Sequence, residues 1–283
     1  MIALFIHILA SSTGYLLVRG FRGWGVVPLY AITINYVICI ALGASILAYQ
    51  GYWQSFLMPE WLGSAFLFAV FLIGTYLLIE AAGVKYGVGP ATLVTRLSVV
   101  IPVLGAFLVI GDELTSIKLL GIGMALVSLY LALGKQVGIR QILHILPITL
   151  FISYGTMQFF FNWVQVSVIE PKEFVAFLLF SFVFSLLIGT VVSAYRLNIK
   201  KHKGSQMDFK IGALIGFINF TSITSFLFAL EYSGLESSVL FPVTAIAVIV
   251  LASLGGRVFY KEKLVGRQFA GLALGILAIV ILF

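Results

Sequence analysis

Two short sequence patterns of this chain recur about 150 residues further on. Residues 77–83 read LLIEAAG and residues 228–234 read FALEYSG, and Asp112-Glu113-Leu114 is matched by Glu262-Lys263-Leu264. Each copy contains five long apolar segments, an odd number. The second copy is therefore expected to begin on the opposite face of a membrane from the first. Inverted repeats of this kind place a pathway between two halves and let it open alternately to either side.

The composition is that of a membrane protein with almost no soluble mass. Apolar residues make up 61% of the chain and charged residues 10%, whereas soluble domains carry roughly 25% charged residues. The basic residues behind the net charge of +7 lie between apolar runs, which favours membrane orientation over nucleic-acid binding. The single cysteine, Cys39, lies within an apolar run and is interpreted as a small buried hydrophobe. We expect membrane lipid as a partner and no nucleic acid.

Ten segments have the length and composition to cross a bilayer as α-helices, which takes about 20 mostly apolar residues. The predicted fold is an all-α integral membrane protein with ten transmembrane helices, arranged as two inverted five-helix repeats at residues 1–140 and 141–283. Only Leu197–Met207 is a clear polar linker. The predicted spans are Ile2–Val18, Pro28–Tyr49, Trp61–Ala82, Pro90–Ile110, Lys118–Gly134, Ile145–Val166, Phe174–Tyr195, Phe209–Glu231, Ser237–Gly256 and Gly266–Phe283.

The basic residues also predict the orientation of the chain. Most of them fall in the connections that follow the odd-numbered segments, and the opposite ends carry only Lys118 and Lys172. Because basic residues concentrate on the cytoplasmic side, both termini are predicted to be non-cytoplasmic. The acidic turn at 111–113 and its basic counterpart at 257–263 agree with opposite sides for the two copies. The expected location is the cytoplasmic (inner) membrane of a bacterium.

Each half ends in the same order: a segment containing proline, a short charged turn, and a glycine-rich last segment. This order resembles the EamA-like branch of the drug/metabolite transporter superfamily, whose members have ten helices. The resemblance covers essentially the whole chain and implies two five-helix repeats and export or exchange of small metabolites. It departs at Lys261, where the family often has glycine. The phrase reads Pro102, Gly111-Asp112-Glu113-Leu114 and Gly121 in the first half, and Pro242, Lys261-Glu262-Lys263-Leu264 and Gly271 in the second.

Small residues recur at four-residue spacing in the last segment of each half, as Gly121 with Ala125 and as Gly271 with Gly275. This spacing lets helix backbones approach closely in lipid, so these segments are predicted to pack as struts. The resemblance implies that they lie outside the substrate path. Pro102, well inside segment four, removes one backbone hydrogen bond and is interpreted either as a gating hinge or as a static kink.

A set of polar residues in the middle of several segments is predicted to bind substrate. Polar side chains in membrane helices rarely face lipid, and these concentrate on segments one, four, six and eight. Hydrogen bonding between helices is the alternative role for any one of them. The predicted substrate-binding residues are Ser12, Tyr15, Asn35, Thr92, Arg96, Tyr154, Gln158, Asn162, Asn219 and Ser222.

Arg96 is the most informative member of this set, because a charge inside a membrane segment is costly unless paired or hydrated. Its guanidinium is suited to grip a carboxylate or phosphate in bidentate fashion. The competing interpretation is an anchor that reaches back to the cytoplasmic surface. The sequence leaves both open.

Few acids accompany these polar groups. Glu80 and Glu231 are matched by the repeat and are interpreted either as gating acids at the two mouths or as interfacial residues. His7 has no acid partner in the sequence and is interpreted as a buried or interfacial polar residue in preference to a proton carrier. Because no segment has an acid near its middle, obligatory proton coupling is not expected.

The function predicted is alternating-access transport of a small polar metabolite, with an amino acid or similar organic anion as the leading substrate class. A sugar or phosphorylated-sugar permease is the alternative. A non-transporting membrane protein and a lipid-modifying membrane enzyme are the candidates from other classes. The sequence has no catalytic triad, metal-ligand cluster or phosphate-binding loop, so we expect no enzymatic activity, metal or cofactor. A monomer is favoured.

Overall fold

The computed structural model describes residues 1–51, 59–86, 88–133, 144–200, 205–261 and 265–283. Within these ranges the chain forms helices joined by turns and contains no β-strand. A π-helical turn, Ala106–Ile110, follows α5, and a 3₁₀ turn, Pro171–Glu173, precedes α8. The α-helices are α1 (Ile2–Trp24), α2 (Pro28–Gln50), α3 (Leu62–Tyr86), α4 (Val88–Leu97), α5 (Val100–Gly105), α6 (Ser116–Leu133), α7 (Ile145–Ser167), α8 (Phe174–Lys200), α9 (Gln206–Tyr232), α10 (Ser237–Phe259) and α11 (Gly266–Leu282).

Seven helical stretches of the described chain are long and apolar enough to cross a membrane. Three shorter apolar helices, Ile2–Val18, Ser116–Ala132 and Gly266–Leu282, lie near the lower limit of about 17 residues. Together they match the ten predicted segments in position and confirm an all-helical chain of membrane-protein character. The seven are Tyr30–Gln50, Leu62–Tyr86, Ala91–Ile110, Ile145–Ser167, Pro171–Tyr195, Gln206–Tyr232 and Ser237–Phe259.

Several helices extend beyond the ends that hydropathy predicts. The first continues past Val18 to Trp24, where Gly25 adopts a φ of 66° and donates its N–H to Phe21 O. The predicted linker Leu197–Met207 is wrong in extent, since α8 continues to Lys200 and α9 begins at Gln206. Residues 196–200 contain neither glycine nor proline, so nothing local stops the helix there. Residues 201–204 of the linker lie outside the described chain.

The described residues divide into two compact units. Unit one comprises residues 1–73 and 167–231, and unit two comprises residues 74–166 and 232–283. Each unit therefore takes segments from both halves of the sequence. The predicted repeats, 1–140 and 141–283, concern sequence similarity, whereas these units concern packing.

Unit one is centred on the packing of α2 against α8 and α9. Phe174, Phe177 and Phe182 of α8 are fully buried. Gly212 and Gly216 of α9 lie so close to α2 that a Cβ atom at either would come within 2.8 Å of a backbone oxygen of that helix. Glycine at these positions therefore allows direct backbone contact between α2 and α9.

Two carboxylates connect helix starts within unit one. Asp208, in the first turn of α9, accepts the N–H of Val27 at the start of α2 at 2.7 Å. It also accepts the N–H of Ser205 at 2.7 Å, while Ser205 Oγ accepts the N–H of Asp208 at 3.1 Å. Glu173, just before α8, accepts the indole N–H of Trp61, just before α3, at 3.0 Å. The bonds from the backbone N–H groups of Val27, Ser205 and Asp208 satisfy donors that helix starts otherwise leave unpaired.

Unit two contains the close packing of α6 against α11. A Cβ atom at Gly271 would lie 2.5 Å from the backbone N of Ala132, and one at Gly121 would lie 2.7 Å from the side chain of Leu282. Ser128 Oγ donates to Gly271 O at 2.8 Å. Gly275 faces Ser128 and Ile246, and Ala125 is fully buried. All four small residues singled out in the sequence therefore lie at close contacts or in the interior.

A matched pair of glycines tests this packing. Gly271→Ala places a methyl group against the backbone of α6 and is expected to destabilise the protein by about 1–3 kcal/mol. Gly123→Ala, on the open side of α6 where nothing lies within 4 Å, should stabilise it by about 0.5–1 kcal/mol through helix propensity. Thermal unfolding of the detergent-purified variants measures both. Equal midpoints for the two variants would contradict the close contact.

Candidate functional site

The regular α-helical hydrogen bonding of the fourth apolar segment is interrupted in its middle, although the backbone of Val99 stays in the helical region with φ −53° and ψ −21°. α4 ends at Leu97 and α5 begins at Val100. Pro102 has no N–H to offer Ser98 O, its usual helical acceptor, and Ile101 N donates to Ser98 O instead at 2.9 Å. The break thus lies about one turn before the proline. Downstream, the π-helical turn ends at Gly111, which has a φ of 95°.

Side-chain hydroxyls satisfy the backbone next to this break. Thr95 Oγ1 donates to Thr92 O at 2.9 Å and Ser98 Oγ donates to Thr95 O at 2.7 Å. All three residues are buried. Hydroxyls that bond back to their own helix compete with the regular backbone ladder and commonly bend helices. The break therefore depends on Pro102 and on the polar residues that precede it.

Arg96 lies in the last turn of α4 and is half-buried. It sits two residues before Ser98, whose backbone contacts α7. A Cβ atom at Gly155 of α7 would lie 2.8 Å from Ser98 O. The backbone of α7 therefore packs directly on the interruption, with Arg96 beside it in sequence.

One face of α7 carries the predicted polar residues of segment six. Asn162 is fully buried, and its Oδ1 accepts the hydroxyl hydrogen of Ser237 at 3.0 Å. The other amide atom of Asn162, Nδ2, is buried and has no hydrogen-bond partner among the described residues, and the same holds for Gln158 Oε1. Tyr154 packs instead against the apolar cluster around Leu150. Segment six thus combines unpaired polar atoms with an apolar contact.

The start of α10 is bound to the turn that follows segment four. Asp112 Oδ2 accepts the N–H of Ser238 at 2.7 Å. Glu236 Oε2 accepts Lys118 Nζ at 2.6 Å and the N–H of Glu113 at 3.1 Å. The sequence offered Lys118 only as a marker of orientation, and no local signal pairs it with Glu236. The matching turn in the second half, Glu262-Lys263-Leu264, lies outside the described residues.

In unit one, Asn219 Nδ2 donates to Asn35 Oδ1 at 3.2 Å, which joins α9 to α2. Cys39 Sγ lies 3.6 Å from Asn35 Oδ1 and 3.4 Å from Gly216 O. Cys39 is fully buried, as the sequence predicted. It is also in contact with polar atoms, which its apolar surroundings in the sequence did not indicate.

His7, which has no acid partner in the sequence, has polar and aromatic neighbours in the fold. His7 Nδ1 lies 2.9 Å from Ser222 O, and Ser11 Oγ lies 2.7 Å from Ser222 Oγ. The imidazole also contacts the ring of Phe226, with centroids 4.6 Å apart. The four-residue spacing of His7 and Ser11 places them on one face of α1, which is the signal that could have found this cluster.

The remaining predicted residues are placed separately. Ser12 is buried and bonds to Ile8 O of its own helix at 2.6 Å, and Tyr15 is half-buried in α1. Glu80 does not end its helix, because α3 continues through Ala81 and Ala82, both good helix formers, to Tyr86. Glu231 is exposed at the end of α9. The two repeat-related acids therefore differ in position along their helices.

The ten predicted substrate residues are shared between the two units. Ser12, Tyr15, Asn35, Asn219 and Ser222 belong to unit one, and the other five belong to unit two. Within the described chain, no group of three or more His, Cys, Asp or Glu residues is placed to hold a metal ion. Chemically, unit two offers a guanidinium beside a helix break and unpaired amide atoms on the adjoining helix.

No protein-family model matches the chain. It is 24% identical over 290 residues to an uncharacterized protein from Haemophilus influenzae, an alignment that covers 99% of this chain and 97% of that protein. A solved structure, described only as the crystal structure of a protein, matches with a TM-score of 0.78 and 17% identity, over 99% of this chain and 95% of that one. This second likeness shows that the whole fold occurs in a known structure.

Proposed function

We propose that this chain is a ten-span membrane transporter that moves a small polar metabolite by alternating access. An amino acid or a similar organic anion is the leading substrate class. The observation that carries the proposal is the interruption of segment four, where α4 ends at Leu97 within the candidate span Ala91–Ile110. Irregular backbone at membrane depth is tolerated only where protein buries it or where it lines a water-filled cavity. Transporters use such interrupted helices to form substrate sites.

Two features support an inverted repeat and membership of the EamA-like branch. Gly111 and Lys261, equivalent positions in the two halves, both have positive φ, 95° and 53°, although a lysine rarely adopts this conformation. In unit one, Asp208 connects the starts of segments eight and two, and Glu173 connects the starts of segments seven and three. In an inverted repeat, segment two corresponds to segment seven and segment three to segment eight. Each of these two connections is therefore the counterpart of the other.

Arg96 is proposed to dock the anionic group of the substrate. It adjoins the interruption and is half-buried. A bidentate guanidinium suits a carboxylate, which favours amino acids. It suits phosphate equally, which keeps a phosphorylated-sugar permease as the second candidate. Pro102 is proposed to assist gating by keeping the segment divided, with Glu80 and Glu231 near the two mouths.

Replacement of Arg96 tests the docking role. Arg96→Ala is expected to reduce saturable uptake at low substrate concentration by about 10- to 100-fold, through loss of charge-assisted hydrogen bonds. Arg96→Lys should restore only part of it, because the planar fork is lost. Flux into proteoliposomes measures uptake, and Arg257→Ala, which removes an exposed positive charge, is the control. Normal uptake by Arg96→Ala would favour the surface-anchor interpretation.

Transport is proposed to need no obligatory proton exchange. Substrate flux in liposomes should equilibrate without concentrating substrate when a pH gradient is imposed. Glu80 and Glu231 are the exceptions to test, because they are the repeat-related acids that the proposal places near the two mouths. Accumulation driven by the gradient, abolished by Glu80→Gln or Glu231→Gln, would replace the uncoupled mechanism with a proton-coupled one.

Both termini are proposed to face away from the cytoplasm of a bacterial inner membrane. A reporter that fluoresces only in the cytoplasm should stay dark when fused to the C-terminus. The same reporter inserted between Lys203 and Gly204, in a basic connection assigned to the cytoplasm, should be bright. The reverse pattern would invert the orientation. The proposed unit is a monomer, and substrate and lipid are its proposed partners.

A further inference from the structure

Among the described residues of unit two, the buried polar atoms without a hydrogen-bond partner include Gln158 Oε1, Asn162 Nδ2 and Ser238 Oγ. Asn162 and Ser238 are fully buried, and a buried polar group left unpaired is costly. We infer that these three groups form a subsite that binds an uncharged hydroxyl or carboxamide group of the substrate. The inference rests on the proposed transport function and specifies which substrates the site accepts.

The orientation of Asn162 is fixed by its other amide atom. Ser237, the first residue of α10, donates to Asn162 Oδ1 at 3.0 Å. Because the amide is planar, this bond also fixes the direction of the Nδ2 donor. The subsite thus presents donors from Asn162 and Ser238 and an acceptor from Gln158, beside the start of a 23-residue helix.

The subsite lies on the side of α7 that contacts the interrupted segment. Gly155, Gln158 and Asn162 follow one another at three- and four-residue spacing, which places them on one face of the helix. Gly155 packs on Ser98 at the break. Asn162 is seven residues further along, or about 10 Å. A small extended metabolite spans this distance, with an anionic group near Arg96 and a second polar group at the subsite.

The charges at the start of α10 favour an uncharged second group. The carboxylate of Asp112 lies on the N–H of Ser238 at 2.7 Å, and the carboxylate of Glu236 is paired with Lys118. A carboxylate or phosphate at Ser238 would therefore be repelled by Asp112 at short range. A hydroxyl or carboxamide both donates and accepts hydrogen bonds without this repulsion.

This arrangement determines specificity. A substrate with a hydroxyl or carboxamide satisfies the three buried atoms, whereas an apolar analogue of the same size leaves them unpaired. Sites built to hydrogen-bond a substrate group reject analogues that lack it. We expect the protein to bind the polar substrate about 10- to 100-fold more tightly than the apolar analogue, because the analogue leaves these groups unpaired.

The first measurement is the thermal stability of variants without substrate. Ser238→Ala and Gln158→Met remove unpaired atoms, and the backbone bond from Ser238 to Asp112 remains. Their unfolding midpoints should be unchanged or raised. Ser237→Ala is the matched control, and it should lower the midpoint by about 2–4 °C because it leaves Asn162 Oδ1 unpaired. An equal loss in Ser238→Ala would overturn the subsite, since its hydroxyl would then have a structural role.

The second measurement is stabilisation of the purified protein by free amino acids in size-matched pairs: threonine with valine, asparagine with leucine, and glutamine with methionine. Each polar member should stabilise the protein at a concentration about 10- to 100-fold lower than its apolar partner. Ser238→Ala and Gln158→Met should bring these ratios towards one. Equal stabilisation within every pair would overturn the subsite and leave transport intact. A panel without any stabilising member would contradict the proposed substrate class and the subsite together.

Discussion

Backbone groups in hydrocarbon have no water to bond with, so every irregularity must be paired inside the protein. Segment four shows how this chain meets that constraint. Ile101 N replaces the donor that Pro102 lacks, and the hydroxyls of Thr95 and Ser98 satisfy carbonyls at the break. At the helix starts of unit one, Asp208 serves the same purpose for three donors. Local polar residues make the departures from regular helix possible.

Hydropathy predicts where the helices are but not where they end. The length of an apolar run is set by the thickness of the bilayer, so ten segments are visible in the sequence. Helix ends depend on local chemistry that hydropathy does not record. Gly25 ends α1 by adopting positive φ, and α3 continues through alanines to Tyr86. Where a polar stretch lacks glycine and proline, as at residues 196–200, a helix extends beyond the apolar run.

The candidate site is predictable in residue type but not in pairing. Asn35 and Asn219 are recognisable as polar residues within apolar segments, but nothing local indicates a bond between residues 184 positions apart. The sequence does not single out Ser237 and Ser238, because serine at the start of an apolar run is typical of a helix start. Their burial beside Asn162 depends on the packing of α7 against α10. Long-range contacts of this kind are properties of the folded chain.

At Lys261, an unstrained backbone and a positive charge at this end of the chain are competing requirements. Its backbone has a φ of 53°, which costs a side chain such as lysine about 1–2 kcal/mol that glycine avoids. Glycine occupies the equivalent position 111 in the first half, at the start of the acidic turn 111–113. Under the proposed orientation, a positive charge at 261 helps to keep this end of the protein in the cytoplasm. If that orientation holds, the strained backbone at Lys261 is the cost of a charge that favours correct membrane insertion.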